Sequence, residues 1–300
     1  MYMPSKNKIL VQVALTGEQP LREGGPNVPV TPEAIAEEAY NCYKAGASMV
    51  HIHARDPETK LLTHDVSVFN DIMRRIRKKC DVLIQITGAI GGKMDPSTGK
   101  KVHFTEEQRM GLLDVTPIPD SIPLPMGTMD LTGPDGRSNT IFNSYEFLKT
   151  IIPLIRKKGM VLEMEIYDTS FLDNAVRLAE EGIIDKNGPI WLHYCFGDHN
   201  SVQPARPRQM VYVSDEGKRA FPQAVWEVGP RSRNHYNLVA LGVALGCDIV
   251  RTGFEDNYHL PNGQMAQSNV EMVEAVIRII RDMGRDIATV EEGKKIIGMQ

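Results

Sequence analysis

Residues 31–57 read TPEAIAEEAYNCYKAGASMVHIHARDP and hold a complete helix-to-strand unit. Thr31-Pro32-Glu33 supplies an N-cap, with proline at the first helical position, where its missing N–H would have had no partner anyway. The helix runs to Gly46, a residue suited to the left-handed turn that ends a helix. Ala47-Ser48-Met49-Val50 then begins a buried strand, and Arg55-Asp56-Pro57 turns the chain out of it. His51 and His53 lie between, two residues apart, so they point to one face of the strand. Two neutral nitrogen donors at the carboxyl end of a core strand make half of a divalent metal site. A hydrogen-bonded pair of core histidines is the plain alternative.

The same alternation recurs along the chain. Apolar runs suited to strands lie at 8–15, 47–53, 82–87, 121–125, 161–167, 190–196, 224–228 and 248–253. Helical stretches lie at 31–45, 66–78, 105–113, 143–157, 171–181, 234–245, 267–283 and 290–297. Eight strands, most of them followed by a helix, predict an α/β fold of the (β/α)8 TIM-barrel type with additional C-terminal helices. Residues 1–300 are read as one such domain. No G-x-G-x-x-G follows a strand, and Gly88-Ala89-Ile90-Gly91-Gly92 lacks the Gly-Lys-Ser/Thr ending of a P-loop. The longer connections, 16–30, 88–104 and 197–221, are read as loops that carry lids and substrate contacts.

Composition narrows the function classes. The chain has 300 residues, 42% hydrophobic and 24% charged, the profile of an ordinary globular protein. A net charge of -4 without a basic block excludes nucleic acid and anionic membrane as expected partners. The longest clean apolar run, 238–245, is far short of the roughly 20 residues of a bilayer span. The N-terminal residues lack the apolar core of a signal peptide. Cys42, Cys80, Cys195 and Cys247 are scattered without C-x-x-C spacing, which predicts reduced thiols in a cytoplasmic protein.

In a barrel, functional groups gather at the carboxyl ends of the strands. Those ends carry Thr16-Gly17-Glu18, the two histidines, Thr87-Gly88, Gly127-Thr128, Glu163 with Glu165 and Asp168, His193, and Arg251-Thr252-Gly253-Phe254-Glu255-Asp256-Asn257. Closure sets the eighth strand beside the first, one strand away from the second. Glu255 is therefore expected to meet His51 and His53 and complete a His-His-Glu site with open positions for water or substrate. Zinc suits that donor set, and manganese, iron and cobalt are compatible with it. Arg251 and Asp256 form either a pair that holds a carboxylate ready as a base or a structural ion pair. The plain reading of Glu165 is a core-layer carboxylate paired to a neighbouring Lys or Arg, and that of His193 an interior residue outside the metal site. His64, His103, His199, His235 and His259 are assigned to loops or surface.

Four motifs recur together in one known family. They are Ala14-x-Thr16-Gly17-Glu18, Ala45-Gly46-Ala47-x-x-x-His51-x-His53-x-Arg55-Asp56-Pro57, Glu163-x-Glu165-x-Tyr167-Asp168 and Val250-Arg251-x-Gly253-x-Glu255-Asp256-Asn257. With Thr31-Pro32-Glu33 and the tail Ala288-Thr289-Val290-Glu291-Glu292-Gly293, the chain resembles the β-keto acid cleavage enzymes over nearly its whole length. The resemblance implies a zinc-dependent TIM-barrel acyltransferase that condenses a β-keto acid with acetyl-CoA, giving acetoacetate and a new acyl-CoA. It implies His51, His53 and Glu255 as metal ligands, and Arg251 with Asp256 as the dyad that removes the α-proton. It implies Thr87 and Thr128 as hydroxyls for the substrate carboxylate, Glu18 and Glu165 as acidic substrate contacts, and a homodimer or homotetramer. The chain departs from the family pattern at Gln85-Ile86-Thr87-Gly88-Ala89, at Asp130, and at His193-Tyr194-Cys195-Phe196-Gly197, which is more polar than usual.

Two other readings use the same barrel. A hydrolase of the amidohydrolase type also uses H-x-H, but on the first strand and with further histidines on strands five and six. A ligand-binding barrel without catalysis would have no use for a ligand set, a base and a carboxylate holder together.

Overall fold

Helix α1 (Pro32–Ala45) begins and ends as its sequence dictates. The Thr31 hydroxyl accepts the Ala34 N–H at 3.2 Å, and Gly46 closes the helix with φ 113°. The computed structural model describes residues 8–17, 25–88, 91–95, 101–132, 138–198 and 202–299. Its centre is a closed barrel of parallel strands: β1 (Leu10–Ala14), β2 (Met49–Ile52), β3 (Leu83–Ile86), β4 (Ser121–Pro125), β5 (Val161–Ile166), β6 (Trp191–Tyr194), β7 (Val225–Val228) and β8 (Ile249–Thr252). Each strand pairs with its neighbours in sequence, and β8 returns to β1, so the expected barrel topology is the observed one.

The outer layer holds α1, α2 (Val66–Lys79), α3 (Glu106–Met110), α4 (Tyr145–Lys157), α5 (Thr169–Glu180), α6 (Pro207–Ala220), α7 (His235–Leu245) and α8 (Asn269–Asp282). α9 (Val290–Ile296) follows and packs against β1 and β3. Among the described residues, no helix is long and apolar enough to cross a membrane. Apolar faces of the helices meet the outward residues of the strands in one large core that includes Val11, Val13, Val50, Ile52, Phe69, Phe147 and Leu192.

Two expectations need correction. The segment 197–221 is not one open loop, because α6 occupies Pro207–Ala220. Pro207 starts it, and Met210, Val213 and Gly217 bury one face. Val211, Val213 and Gly217 are poor helix formers, so tertiary packing overrides a local propensity that points the other way. The helix expected at 105–113 is shorter. Thr105 and Gln108 form a capping box, five α-helical residues follow, and the chain tightens into a 3-10 turn at Gly111–Asp114.

The barrel interior is layered. Its floor is apolar, with Leu10, Met49, Leu83, Trp191 and Ile249 buried against Ala288 and Ile297. Gln12, Gln85, Glu163 and Glu227, all buried, belong to a polar network further along the axis. The register sets Arg251 beside Gln12 and His51 beside Ala14, on the two strands that flank β1.

Two glycines let the ends of β1 and β8 touch. Gly253 has φ 131°, and a Cβ there would lie 2.3 Å from the Ala14 carbonyl oxygen. Gly17 has φ 65°, and a Cβ there would lie 2.7 Å from Glu255 Cγ. We expect Gly253→Ala to cost about 3 kcal/mol from strain and overlap together. In a thermal melt the variant should lose roughly 6–10 °C; a melting temperature within one degree of the parent would show that the contact is dispensable.

Candidate active site

The side chains at the carboxyl end of the barrel are set by strand alternation. His51 is the last residue but one of β2 and His53 lies just beyond the strand, and their rings lie 5.1 Å apart at 65°. Glu255 arrives from the turn after β8. Its Oε2 lies 3.4 Å from His51 Nε2 and 3.4 Å from His53 Nε2. Among the described residues, neither Glu255 Oε2 nor His51 Nε2 has a hydrogen-bond partner, although both are buried. Three donors with buried lone pairs converging on one point fit a divalent ion better than they fit each other.

The ring orientations are fixed from behind. Gln85 Oε1 lies 2.6 Å from His51 Nδ1, so that nitrogen carries the proton and Nε2 is left as a lone pair. Burial pushes His51 down to about 3, against the pull of Glu255, so the ring is neutral. The Thr16 hydroxyl accepts the His53 N–H and donates to the His53 carbonyl, both at 3.0 Å, clamping that backbone. Arg55 donates to the Gly17 and Lys60 carbonyls, while Asp56 accepts the N–H groups of Glu58 and Thr59. The Arg-Asp pair after the histidines is therefore scaffold for the loop.

On the other side of Glu255 stands Arg251. Its Nη2 donates to Glu255 Oε1 at 2.8 Å. Its Nε and Nη2 grip Asp256 Oδ2 and Oδ1 at 3.0 and 3.1 Å, a bidentate pair. Burial works against the ionised Glu255, but the Arg251 guanidinium, then His53 and His51, hold its carboxyl well below the usual range. Asp256 and Glu255 line a cavity of about 230 Å³ with Arg231, Arg233 and Asn257 at the barrel mouth.

Across the axis, Glu165 and His193 are register partners on β5 and β6. Burial, and then the neighbouring Glu163 carboxylate, push Glu165 up to about 8. His193 Nδ1 lies 2.8 Å from Glu163 Oε1, and Gln85 Nε2 donates to Glu163 Oε2 at 2.6 Å. Glu227, which lies opposite His193 on β7, accepts the Trp191 Nε1–H at 2.9 Å. Burial and Glu163 raise its carboxyl well above the usual range.

The remaining sequence candidates divide. Thr87 is buried at the end of β3, with its N–H on the Ile52 carbonyl. Thr128 is exposed, and its hydroxyl accepts the Asn143 N–H at 3.0 Å. Glu18 and His199 lie outside the described residues. His235, assigned above to loop or surface, is fully buried, held between the Pro230 carbonyl and the Thr252 hydroxyl. The sequence reading missed Gln12, Gln85 and Glu227 as site components. Their signal was a polar residue at an inward position of a core strand, visible only once register is known.

Comparison with known proteins gives a consistent result. The profile of the family described as beta-keto acid cleavage enzyme matches residues 8–299. A protein named 3-keto-5-aminohexanoate cleavage enzyme, from Fusobacterium nucleatum subsp. nucleatum, is 33% identical over 295 residues, covering 98% of both chains. A protein of Paraburkholderia graminis named 3,5-dioxohexanoate:acetyl-CoA acetone transferase is 26% identical over 318 residues, covering 99% of this chain and 98% of its own. The solved apo structure of ObcA superposes with a TM-score of 0.74 at 19% identity, over 90% of this chain and 65% of that one, a likeness of fold.

Gln85 is the residue on which this end of the barrel converges, since it also accepts from Gln12 Nε2 and donates to Ser121 Oγ, both at 3.1 Å. Gln85→Leu would leave Glu163 and His51 Nδ1 buried without their partners. We expect a loss of about 2–5 kcal/mol in denaturant unfolding. A loss below about 1 kcal/mol, the net value of one ordinary hydrogen bond, would mean that the amide is not the hub.

Proposed function

The chain belongs to the β-keto acid cleavage enzyme family, and from that premise we propose that it is an acyltransferase condensing a β-keto acid with acetyl-CoA to give acetoacetate and a new acyl-CoA. The observation that carries the reading is the contact of two buried constellations, His51-His53-Glu255 and Arg251-Asp256, through one guanidinium that grips both acids. Relatives named for β-keto acid cleavage and for acetyl-CoA transfer support the same substrate classes.

His51, His53 and Glu255 would hold a divalent ion, zinc by donor type. When bound, the ion supplies Lewis-acid stabilisation of negative charge developing on the keto acid. Asp256 is the base. Each of its oxygens accepts one hydrogen bond from Arg251 and keeps a lone pair for the α-proton. Arg251 aims that carboxylate through the same two hydrogen bonds. The carbanion formed on deprotonation attacks the thioester carbonyl of acetyl-CoA. Collapse of that adduct expels the CoA thiolate, which adds to the original keto carbonyl; the bond from that carbon to the α-carbon then breaks, the leaving acetoacetate carbanion takes the proton back from Asp256, and the acyl group stays on sulfur as the new acyl-CoA. Thr87 is assigned to the substrate carboxylate. Thr128 is a weaker candidate for that task, because its hydroxyl already serves Asn143. Glu165, neutral below about pH 8, offers both a donor and an acceptor to the distal part of the substrate. Glu18 keeps its assignment as a substrate contact on sequence grounds.

The proposal extends to the setting. Four free cysteines fit a reducing cytoplasm, and exposed apolar side chains such as Val211 and Tyr212 fit a homodimer or homotetramer. Residues 1–300 are taken as one domain.

Three variants test the assignment, assayed for acetyl-CoA-dependent cleavage of β-keto acids alongside metal analysis. His51→Ala and Glu255→Ala should lose the metal of the His51-His53-Glu255 site and activity together. Asp256→Asn should keep its metal and lose turnover by about 10²–10⁴-fold. Full metal occupancy at the His51 site in His51→Ala, or near-normal turnover in Asp256→Asn, would overturn the corresponding role.

A further inference from the structure

The run His193-Tyr194-Cys195 repeats the logic of His51-Ile52-His53 on the opposite side of the barrel. Two potential ligands stand two residues apart at the carboxyl end of a core strand, and both face inward. A carboxylate on an adjacent strand completes the set, since Glu165 is the register partner of His193. A ligand atom from each of Glu165, His193 and Cys195 lies within 4.8 Å of the other two, and all three residues are buried.

The polar atoms here lack other work. Glu165 Oε2 and His193 Nε2 are buried without a hydrogen-bond partner among the described residues. The two residues are 6% and 2% exposed, so water does not serve them from outside. Cys195 Sγ makes one long contact, 3.6 Å to the His193 carbonyl. Glu163 sits behind the histidine, with Oε1 2.8 Å from Nδ1. That places the imidazole proton on Nδ1 and leaves Nε2 as a lone pair, the arrangement of a carboxylate behind a metal-bound histidine. The neighbouring group of Glu163, His193 and Glu227 is different. Its acids are already engaged, Glu163 by Gln85 and His193 and Glu227 by Trp191.

We propose that Glu165, His193 and Cys195 form a second divalent metal site, separate from His51-His53-Glu255, that takes zinc or another borderline-soft ion. One oxygen, one nitrogen and one sulfur donor with an open fourth position is a donor set that zinc accepts and that magnesium and calcium do not. A carboxylate and a thiolate offset the two charges of the ion, so the buried end of the barrel gains no net charge. The site goes beyond the proposed reaction and does not rest on it. When it is filled, Glu165 serves the ion, so the ion and the distal part of a substrate compete for that side chain.

The test uses the full-length protein, stripped of metal and then reconstituted with zinc or cobalt(II). Metal analysis after removal of excess ion should give two zinc per chain for the wild type. Cys195→Ser should keep one, and His51→Ala should keep the other one. Cobalt(II)-loaded wild type and His51→Ala should both show the near-ultraviolet sulfur-to-cobalt charge-transfer band, and Cys195→Ser should lack it. Glu163→Gln should weaken zinc at the Cys195-dependent site by about 10–100-fold. One zinc per wild-type chain without a sulfur-to-cobalt band overturns the second site, as does a band that survives Cys195→Ser. The wild-type spectrum needs no variant to fold. A band that depends on Cys195, in a protein whose zinc content is indifferent to His51→Ala, would sink the first site and leave the second standing.

Discussion

Charge balance around Arg251 is the constraint from which the rest of this barrel's interior follows. Glu163, Glu165, Glu227, Glu255 and Asp256 are gathered around the buried Arg251 guanidinium. Five ionised carboxylates could not coexist there, because an isolated buried charge costs several kcal/mol even after relaxation. The structure divides them. Glu255 and Asp256 take the guanidinium directly, and it holds the Glu255 carboxyl well below the usual range. Glu163 is held below the usual range by His193 and Gln85 in spite of its burial. Glu165 and Glu227 have no such partners, and burial keeps them protonated. The two acids given to Arg251 are the ones to which the proposed chemistry assigns a ligand and a base.

That division is transmitted through the Gln85 amide. Its oxygen faces His51 and Gln12, and its nitrogen faces Glu163 and Ser121, so the amide can sit only one way round. The Glu163 carboxylate thus fixes the amide, and the amide fixes the tautomer of His51. Glu163 does the same for His193 on its other oxygen. One buried carboxylate therefore aims the free nitrogens of two histidines on opposite sides of the barrel, without touching anything that either nitrogen would bind.

Much of this was legible from the residues and some was not, for physical reasons. Strand alternation placed His51 and His53 on one face, and barrel closure brought Glu255 to them from the eighth strand, because both inferences use only periodicity and topology. Thr31, Pro32 and Gly46 marked a helix by capping chemistry that is local. The α6 helix was missed because Val211, Val213 and Gly217 argue against a helix, and only packing on the barrel decides for one. His235 was misassigned because its burial depends on where Pro230 and Thr252 fall in space. Glu227 and Gln85 were passed over because a strand of this kind is expected to point apolar residues inward. Nothing local announces an exception, and only register with β6 and β2 shows what each one meets.

The geometry also lets the chemistry at the barrel mouth rest on a few positions. At the carboxyl end of each strand, residues i and i+2 both face the axis, so any polar pair at that spacing becomes two adjacent donors. Here β2 supplies His51 and His53, β5 supplies Glu163 and Glu165, and β6 supplies His193 with Cys195 beyond it. Neighbouring strands then complete each pair by register, Glu165 facing His193 and Arg251 facing Gln12. The apolar floor of Leu10, Met49, Leu83, Trp191 and Ile249 lies lower on the same strands and does not depend on these choices. Stability and chemistry are thus separated along the barrel axis. A change at one i, i+2 pair can alter what the mouth of the barrel binds while the closure that brings Glu255 to the histidines is kept.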